Sequence, residues 1–215
     1  KNLSQETFST LHDQKQNNYA LKFKSKYDFI NSITKDLPSA PEYFRDSAIL
    51  NKDGYKNNDD LIKGSLKKLS VEEIKNQLKL NYLILDTRSP HDFFNSHIKK
   101  SLNIPLSGRY AITAANLLGI KKSVILVCYK NDINESIVRL NRVGFENIIG
   151  YYILDDLTPK NITSSIKSIK ANSAHNIDDY KYLDVRTKSE YAEKHVKGAL
   201  NLPLFELNES INLLD

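Results

Sequence analysis

The sequence predicts an α/β fold in which an open, mostly parallel sheet carries helices on both faces. Residues 82–85 and 124–128 are continuously apolar, as expected for strands that are covered on both sides. Helical patterns alternate with these strands over about 90 residues, which is typical of a parallel sheet. A long segment of the chain also occurs twice, which predicts two copies of one domain.

The repeat joins residues 83–106 to residues 182–204. Five residues of the first copy recur in the second without a gap, always 98 positions later: Asp86 as Asp184, Arg88 as Arg186, His97 as His195, Asn103 as Asn201 and Pro105 as Pro203. Side chains two positions apart on an extended stretch point to the same side, so Asp86 and Arg88 can pair with each other. This pairing favours a structural role over a catalytic one for the Asp and Arg positions of both copies.

Local signals place the helices of the first copy. Ser70 and Glu73 form a capping-box pattern ahead of a short helix that buries Ile74. Ser89 opens the next helix with Pro90 at its first position, and two further helices are predicted at 111–118 and from 133 to a stop at Gly144. Residues 145–154 predict another apolar strand, which is followed by a polar connector at 161–176.

The first 55 residues have a different composition. The alternation at 19–23 predicts a short half-buried strand, and Ser25 predicts the start of a helix that ends near Pro38. Residues 38–58 are polar and rich in turn formers, so we interpret them as a linker with turns at 41–44 and 51–54.

Composition narrows the classes of function. The chain has 31 basic and 26 acidic residues without an Arg-rich block, which argues against nucleic-acid binding. No apolar run approaches the roughly 18 residues of a membrane span, and we expect a cytoplasmic protein. One cysteine excludes an internal disulfide. Because the chain begins with Lys1 and contains no Met, we expect it to be a piece of a longer protein.

The repeated pattern resembles the rhodanese-like domain, over residues 66–154 and again over 180–215. Asp-x-Arg at a strand end, a short helix, and then His-Ile-Lys-Lys-Ser-Leu-Asn-Ile-Pro or His-Val-Lys-Gly-Ala-Leu-Asn-Leu-Pro carry this resemblance. It implies an open parallel sheet with helices on both faces, and it implies that the repeated Asp, Arg and His positions are a structural signature: Asp86, Arg88, His97, Asp184, Arg186 and His195. We expect one complete copy at 66–157 and a partial second copy at 158–215.

The resemblance also implies a catalytic position. Chemistry in rhodanese-like enzymes belongs to a cysteine that follows a central strand, and Cys128 occupies that place. The loop after it lacks the usual Gly and Arg, while Asp132 and Glu135 would repel an anionic sulfur donor. Cys128 is therefore the candidate nucleophile and Lys130 the candidate substrate-binding residue, but we expect a degenerate, non-catalytic first copy.

The amino-terminal part carries a second resemblance. Residues 14–21, the Asp-Leu-Pro at 36–38, and the motifs at 41–44 and 51–54 are similar to the tail of a metallo-β-lactamase-fold domain that precedes tandem rhodanese domains. We interpret residues 1–55 as that tail and a linker. The likeness implies a persulfide dioxygenase and sulfurtransferase fusion that detoxifies sulfide and persulfide.

Such a fusion implies small substrates and a metal that lies elsewhere. The substrates would be a low-molecular-weight persulfide, thiosulfate or sulfite, and the protein could form a homo-oligomer. Iron, or zinc, is expected in the upstream domain. We assign no metal site in this chain, because its five histidines do not form a His-x-His-x-Asp-His cluster.

Two other functions stay open at this stage. In the first, Cys128 is a working sulfurtransferase nucleophile that carries a persulfide. In the second, the chain is a non-catalytic interaction module that binds a partner through an exposed pair, Tyr151 and Tyr152.

Overall fold

Helices and strands alternate through most of the chain. The computed structural model describes residues 7–35, 43–54, 57–80, 82–169 and 181–206. It divides into two compact units, residues 1–40 and residues 41–215. No helix in these described ranges is both long and apolar enough to cross a membrane.

The first unit is helical. Helix α1 (Leu11–Asn17) and helix α2 (Lys26–Thr34) flank a 3-10 turn at Tyr19–Leu21. The strand predicted at 19–23 was therefore wrong: the Asn18 side chain accepts the Ala20 N–H at 3.0 Å and caps a turn instead. The helix start at Ser25 is confirmed, since its hydroxyl accepts the Asp28 N–H at 3.0 Å. The stop predicted at Leu37–Pro38 lies outside the described residues.

The second unit contains the remaining elements. Its helices are α3 (Tyr43–Asp53), α4 (Asn58–Ser65), α5 (Val71–Lys79), α6 (Pro90–Asn95), α7 (Tyr110–Leu118), α8 (Ile133–Arg142) and α9 (Lys188–Glu193). Its strands are β1 (Leu83–Asp86), β2 (His97–Ile98), β3 (Leu102–Asn103), β4 (Val124–Val127), β5 (Ile148–Tyr152), β6 (Thr163–Ser164), β7 (Leu183–Asp184) and β8 (Leu200–Asn201). The predicted caps at Ser70 and Ser89 are present. Gly144 follows α8 with a φ of 103°, as its predicted stop requires.

The central sheet is parallel throughout. Its order is β3-β1-β4-β5. Asp86 stands opposite Asn103 on one side and Val127 on the other, so the carboxyl ends of three strands meet at one edge. Strands β7 and β8 repeat the β1 and β3 pairing, with Asp184 opposite Asn201.

Both faces of this sheet are buried. Leu85, Val124 and Leu126 lie in one apolar cluster together with side chains of α7 and α8. Ile84 and Ile125 lie in a second cluster on the opposite face, which includes side chains of α5. The predicted α/β fold with helices on both faces is confirmed.

The segment predicted as a linker with turns folds as a helix. Residues 43–53 form α3, and the turns expected at 41–44 and 51–54 were wrong wherever the structure describes these residues. Tyr43 and Leu50, two turns apart, pack against the core of the sheet. Asp46 adds an ion pair with Lys121 at 2.7 Å. Tertiary packing therefore overrides a local composition that favours turns.

A second correction concerns two tyrosines. Tyr151 and Tyr152 were expected to be an exposed pair, but they lie in β5, where Tyr152 is buried and Tyr151 packs against the core. The Tyr151 N–H donates to the Lys67 carbonyl at 2.9 Å, and its own carbonyl accepts from Leu69 at 2.8 Å. This short extended segment covers the edge of β5, so Tyr151 is only partly exposed and the two tyrosines do not form the exposed pair that was expected.

A third correction concerns the connector predicted at 161–176. Within it, Thr163–Ser164 forms β6, which pairs with β2 in antiparallel register. The buried side chain of Ile162 joins the apolar cluster beside α5. Isolated apolar residues in a polar segment were too weak a signal to predict this strand.

The close approach of the Lys67 carbonyl oxygen to Gly150 in β5 gives the first prediction. A Cβ at Gly150 would stand 2.5 Å from the Lys67 carbonyl oxygen. We expect Gly150→Ala to lower the free energy of unfolding by about 1–3 kcal/mol, because backbone must move to admit the methyl group. Urea unfolding followed by circular dichroism measures this change.

Gly64→Ala is the matched control. Gly64 lies within α4, and a Cβ there would meet nothing within 4 Å. This variant is expected to gain up to about 1 kcal/mol, since alanine favours the helix. Equal effects of the two substitutions would contradict the contact at Gly150.

Candidate functional site

The candidate site lies at the carboxyl edge of the sheet. Cys128 directly follows β4, and Asp86 ends the neighbouring strand β1. The pairing of Asp86 with Val127 therefore places this carboxylate close to the thiol. The Cys128 side chain is buried, with 1% of the residue exposed, and its N–H donates to the Tyr152 carbonyl at 3.3 Å.

The surroundings of Cys128 disfavour a thiolate. Burial raises the pKa of the Cys128 thiol to about 12, and the negative charges of Asp132 and Asp86 act in the same direction. At neutral pH the thiolate fraction is on the order of 1 in 10⁵. Because the thiolate is the nucleophile, the thiol in this arrangement is a poor acceptor of sulfur.

The loop after Cys128 is short. Lys130–Asp132 forms one turn of 3-10 helix that leads directly into α8. Lys130 lies exposed in this turn. Lys130 is not among the causes that shift the Cys128 pKa, and its assignment as a substrate-binding residue stays a prediction.

Several buried polar groups near Cys128 were not predicted. The Tyr110 hydroxyl donates to the Ser136 carbonyl at 3.4 Å, and the Ser136 and Thr87 hydroxyls lie 3.4 Å apart. Burial, with a contribution from Cys128, raises the pKa of Tyr110. These are single residues outside any motif. Only Thr87 could have been found from the sequence, because it directly follows Asp86 at the end of β1.

The signature residues of the first copy hold the edge of the sheet together. Arg88 donates from Nε to Asp86 Oδ1 at 3.0 Å and from Nη2 to Asp86 Oδ2 at 2.7 Å. Asn103 Nδ2 donates to the carbonyls of both residues, at 2.9 and 3.0 Å. The His97 ring stacks on Phe93 with centroids 4.1 Å apart, and its Nδ1 lies 2.9 Å from the Phe93 carbonyl oxygen. Each of these side chains therefore stabilises the local structure.

The second copy repeats these contacts in a more open setting. Arg186 donates to Asp184 at 3.0 and 2.6 Å. The His195 ring stacks on Tyr191 at 3.8 Å. The Asp184 and Arg186 side chains are 11% and 47% exposed, against 0% and 7% for Asp86 and Arg88. Hydrogen bonds from Arg186 lower the pKa of Asp184, as expected for a paired carboxylate.

Candidate metal ligands do not come together in the part of the chain that is described. No group of three or more His, Cys, Asp or Glu side chains there is arranged to hold an ion. His97 and His195 are engaged in the ring stacks, and His91 lies at the surface beside Asp92.

Comparison with known proteins identifies the family. The model of the rhodanese-like domain matches residues 70–154 and 169–215. This chain belongs to the rhodanese-like domain family. A search of curated proteins finds no match to this rhodanese-like chain.

Solved structures resemble it at low identity. A metallo-beta-lactamase from Staphylococcus aureus subsp. aureus COL is 21% identical with a TM-score of 0.54, and the alignment covers 68% of this chain and 39% of that one. A thiosulfate sulfurtransferase from Pseudomonas aeruginosa is 15% identical with a TM-score of 0.37, covering 75% of this chain and 36% of that one. The rhodanese-like chain thus spans less than half the length of either structure. The first likeness shows a shared fold.

The two signature ion pairs give the second prediction. Arg88→Ala would leave the buried Asp86 carboxylate without its partner, so we expect the free energy of unfolding to fall by about 3–5 kcal/mol. Arg186→Ala removes the same hydrogen bonds from an exposed pair, and we expect a loss of about 1 kcal/mol or less. Urea unfolding of both variants makes the comparison. Equal losses would show that burial does not set the strength of these pairs.

Proposed function

We propose that this chain is the rhodanese-like region of a fusion between a persulfide dioxygenase and sulfurtransferase domains. In the cytoplasmic parent protein, an upstream domain oxidises a low-molecular-weight persulfide to sulfite with oxygen. A rhodanese cysteine downstream of this chain moves sulfane sulfur between persulfide and sulfite to give thiosulfate. The complete copy in this chain does not accept sulfane sulfur and sets the position of the two active sites.

The burial and the raised pKa of the Cys128 thiol are the observation that supports this proposal most. The thiol is buried at the carboxyl edge of the sheet, and two carboxylates raise its pKa together with burial. A sulfurtransferase nucleophile needs the opposite setting, a lowered pKa and access for the donor. Thiosulfate and sulfite are anions, so Asp132 would also oppose their approach.

The metallo-β-lactamase part of the proposal has separate support. The alignment with the Staphylococcus aureus metallo-beta-lactamase covers 68% of this chain and 39% of that structure. That structure therefore includes a large part with no counterpart here. We propose that iron, or zinc, belongs to such a part of the parent protein.

The exposed apolar residues of the first unit favour a second candidate, an interaction module that pairs with another copy of this chain. Neither α1 nor α2 has a fully buried side chain, and three large side chains are more than two-thirds exposed: Phe8, Leu11 and Tyr27. Apolar groups in such a position favour contact with another surface. Sedimentation analysis would reveal a concentration-dependent homo-oligomer under this candidate and a monomer otherwise.

One experiment on the full-length parent tests the first proposal. The protein is incubated with glutathione persulfide while oxygen consumption is recorded and its iron content is measured. Peptide mass analysis then locates any added sulfur atom. We expect bound iron, oxygen uptake, and no sulfur adduct on Cys128, because its thiol is protonated and covered.

Cys128→Ser is the control variant. It is expected to retain the full rate of oxygen uptake and sulfur transfer. A parent protein that neither binds iron nor consumes oxygen would contradict the dioxygenase part. A sulfur adduct on Cys128, with transfer lost in Cys128→Ser, would instead favour an active sulfurtransferase in which Lys130 offsets the charge of the donor.

A further inference from the structure

The residue after Cys128 reaches across the edge of the sheet. Tyr129 places its hydroxyl at the first turn of α6, where it donates to Asp92 Oδ2. The same hydroxyl accepts the Ser89 N–H at 3.2 Å. One side chain therefore ties the loop that follows β4 to the start of the helix that follows β1.

The acceptor on α6 is held in place. The Asp92 N–H donates to the Ser89 hydroxyl at 3.1 Å, which caps the helix and fixes the first turn. The hydrogen bond from Tyr129 is the largest cause that lowers the pKa of Asp92, so the acceptor is a carboxylate at neutral pH. Hydrogen bonds to an ionised acceptor are stronger than those between neutral groups.

This tether begins at the residue next to the thiol. Residues 129–131 are exposed, whereas Cys128 directly before them is buried. Within the loop, the Asp132 N–H donates to the Tyr129 carbonyl at 3.0 Å, so the two ends of the loop are joined to each other. The hydrogen bonds of the Tyr129 side chain therefore connect the loop as one unit to α6.

We propose that the hydrogen bonds of Tyr129 with Asp92 and Ser89 form a latch that holds the 129–132 loop closed over Cys128. The inference rests on the proposed function, because it explains how a rhodanese-like copy keeps its cysteine covered. Loss of the bond between Tyr129 and Asp92 should raise the population of the open loop about tenfold, which corresponds to about 1.4 kcal/mol.

Thiol labelling of the whole chain tests the latch. Iodoacetamide is added at one fixed pH, and mass spectrometry follows the modification of Cys128, the single cysteine of the chain. We expect Tyr129→Phe and Asp92→Ala each to raise the labelling rate about tenfold. The double variant should label no faster than the faster single variant, because both changes break the same bond.

Controls separate local opening from general loss of stability. Asn131→Ala changes an exposed residue of the same loop and should leave the rate unchanged. In the latch variants, the labelling rate of Cys128 should already be raised in the absence of denaturant. It should then not change as a low concentration of urea is added, because a local opening exposes little additional surface. The free energy of unfolding is measured for each variant alongside the labelling.

The outcomes are distinct. Unchanged labelling in Tyr129→Phe overturns the latch, as does a rise that merely follows the fall in global stability. Additive effects in the double variant overturn the pairing of Tyr129 with Asp92. A sulfur adduct on wild-type Cys128 overturns the proposed function, whereas slow labelling in every variant overturns the latch alone.

Discussion

The ion pair between Asp86 and Arg88 is the contact on which the carboxyl edge of the sheet depends. It joins the end of β1 to the start of α6, and Asn103 ties the same two residues to β3. The pair is buried, so its charges are stable only because each satisfies the other. Parallel pairing then fixes where β4 ends relative to this pair, and with it the position of Cys128.

The arrangement around Asp86 also affects the reactivity of the Cys128 thiol. Burial raises the pKa of the Cys128 thiol most, and the charges of Asp132 and of Asp86, the carboxylate that organises the edge, add to that effect. The fold of the family is present, while the setting of Cys128 disfavours a thiolate. Recurrence of the same contacts around Asp184 shows that the signature belongs to the architecture of each copy.

The sequence was sufficient for the parts that depend on local or repeated patterns. The continuous apolar strands, the caps at Ser70 and Ser89, and the fixed spacing of the two copies all predict features that the fold contains. The sequence was insufficient where contacts between residues far apart in the chain determine the structure. Helix α3 forms because Tyr43 and Leu50 reach the core. The contact of Tyr129 with Asp92 joins residues 37 positions apart that share no motif.

Direct titration of Cys128 tests the central claim, that burial and two carboxylates keep this rhodanese-like cysteine unreactive. Because the chain has one cysteine, carbon NMR of cysteine-labelled protein reports this thiol alone. The account predicts a pKa of about 12, well above the ordinary value of 9.0, and a lower pKa in Asp132→Asn because one negative charge is removed. A wild-type midpoint at or below the ordinary value would contradict the account and show that the thiolate is available to accept sulfur.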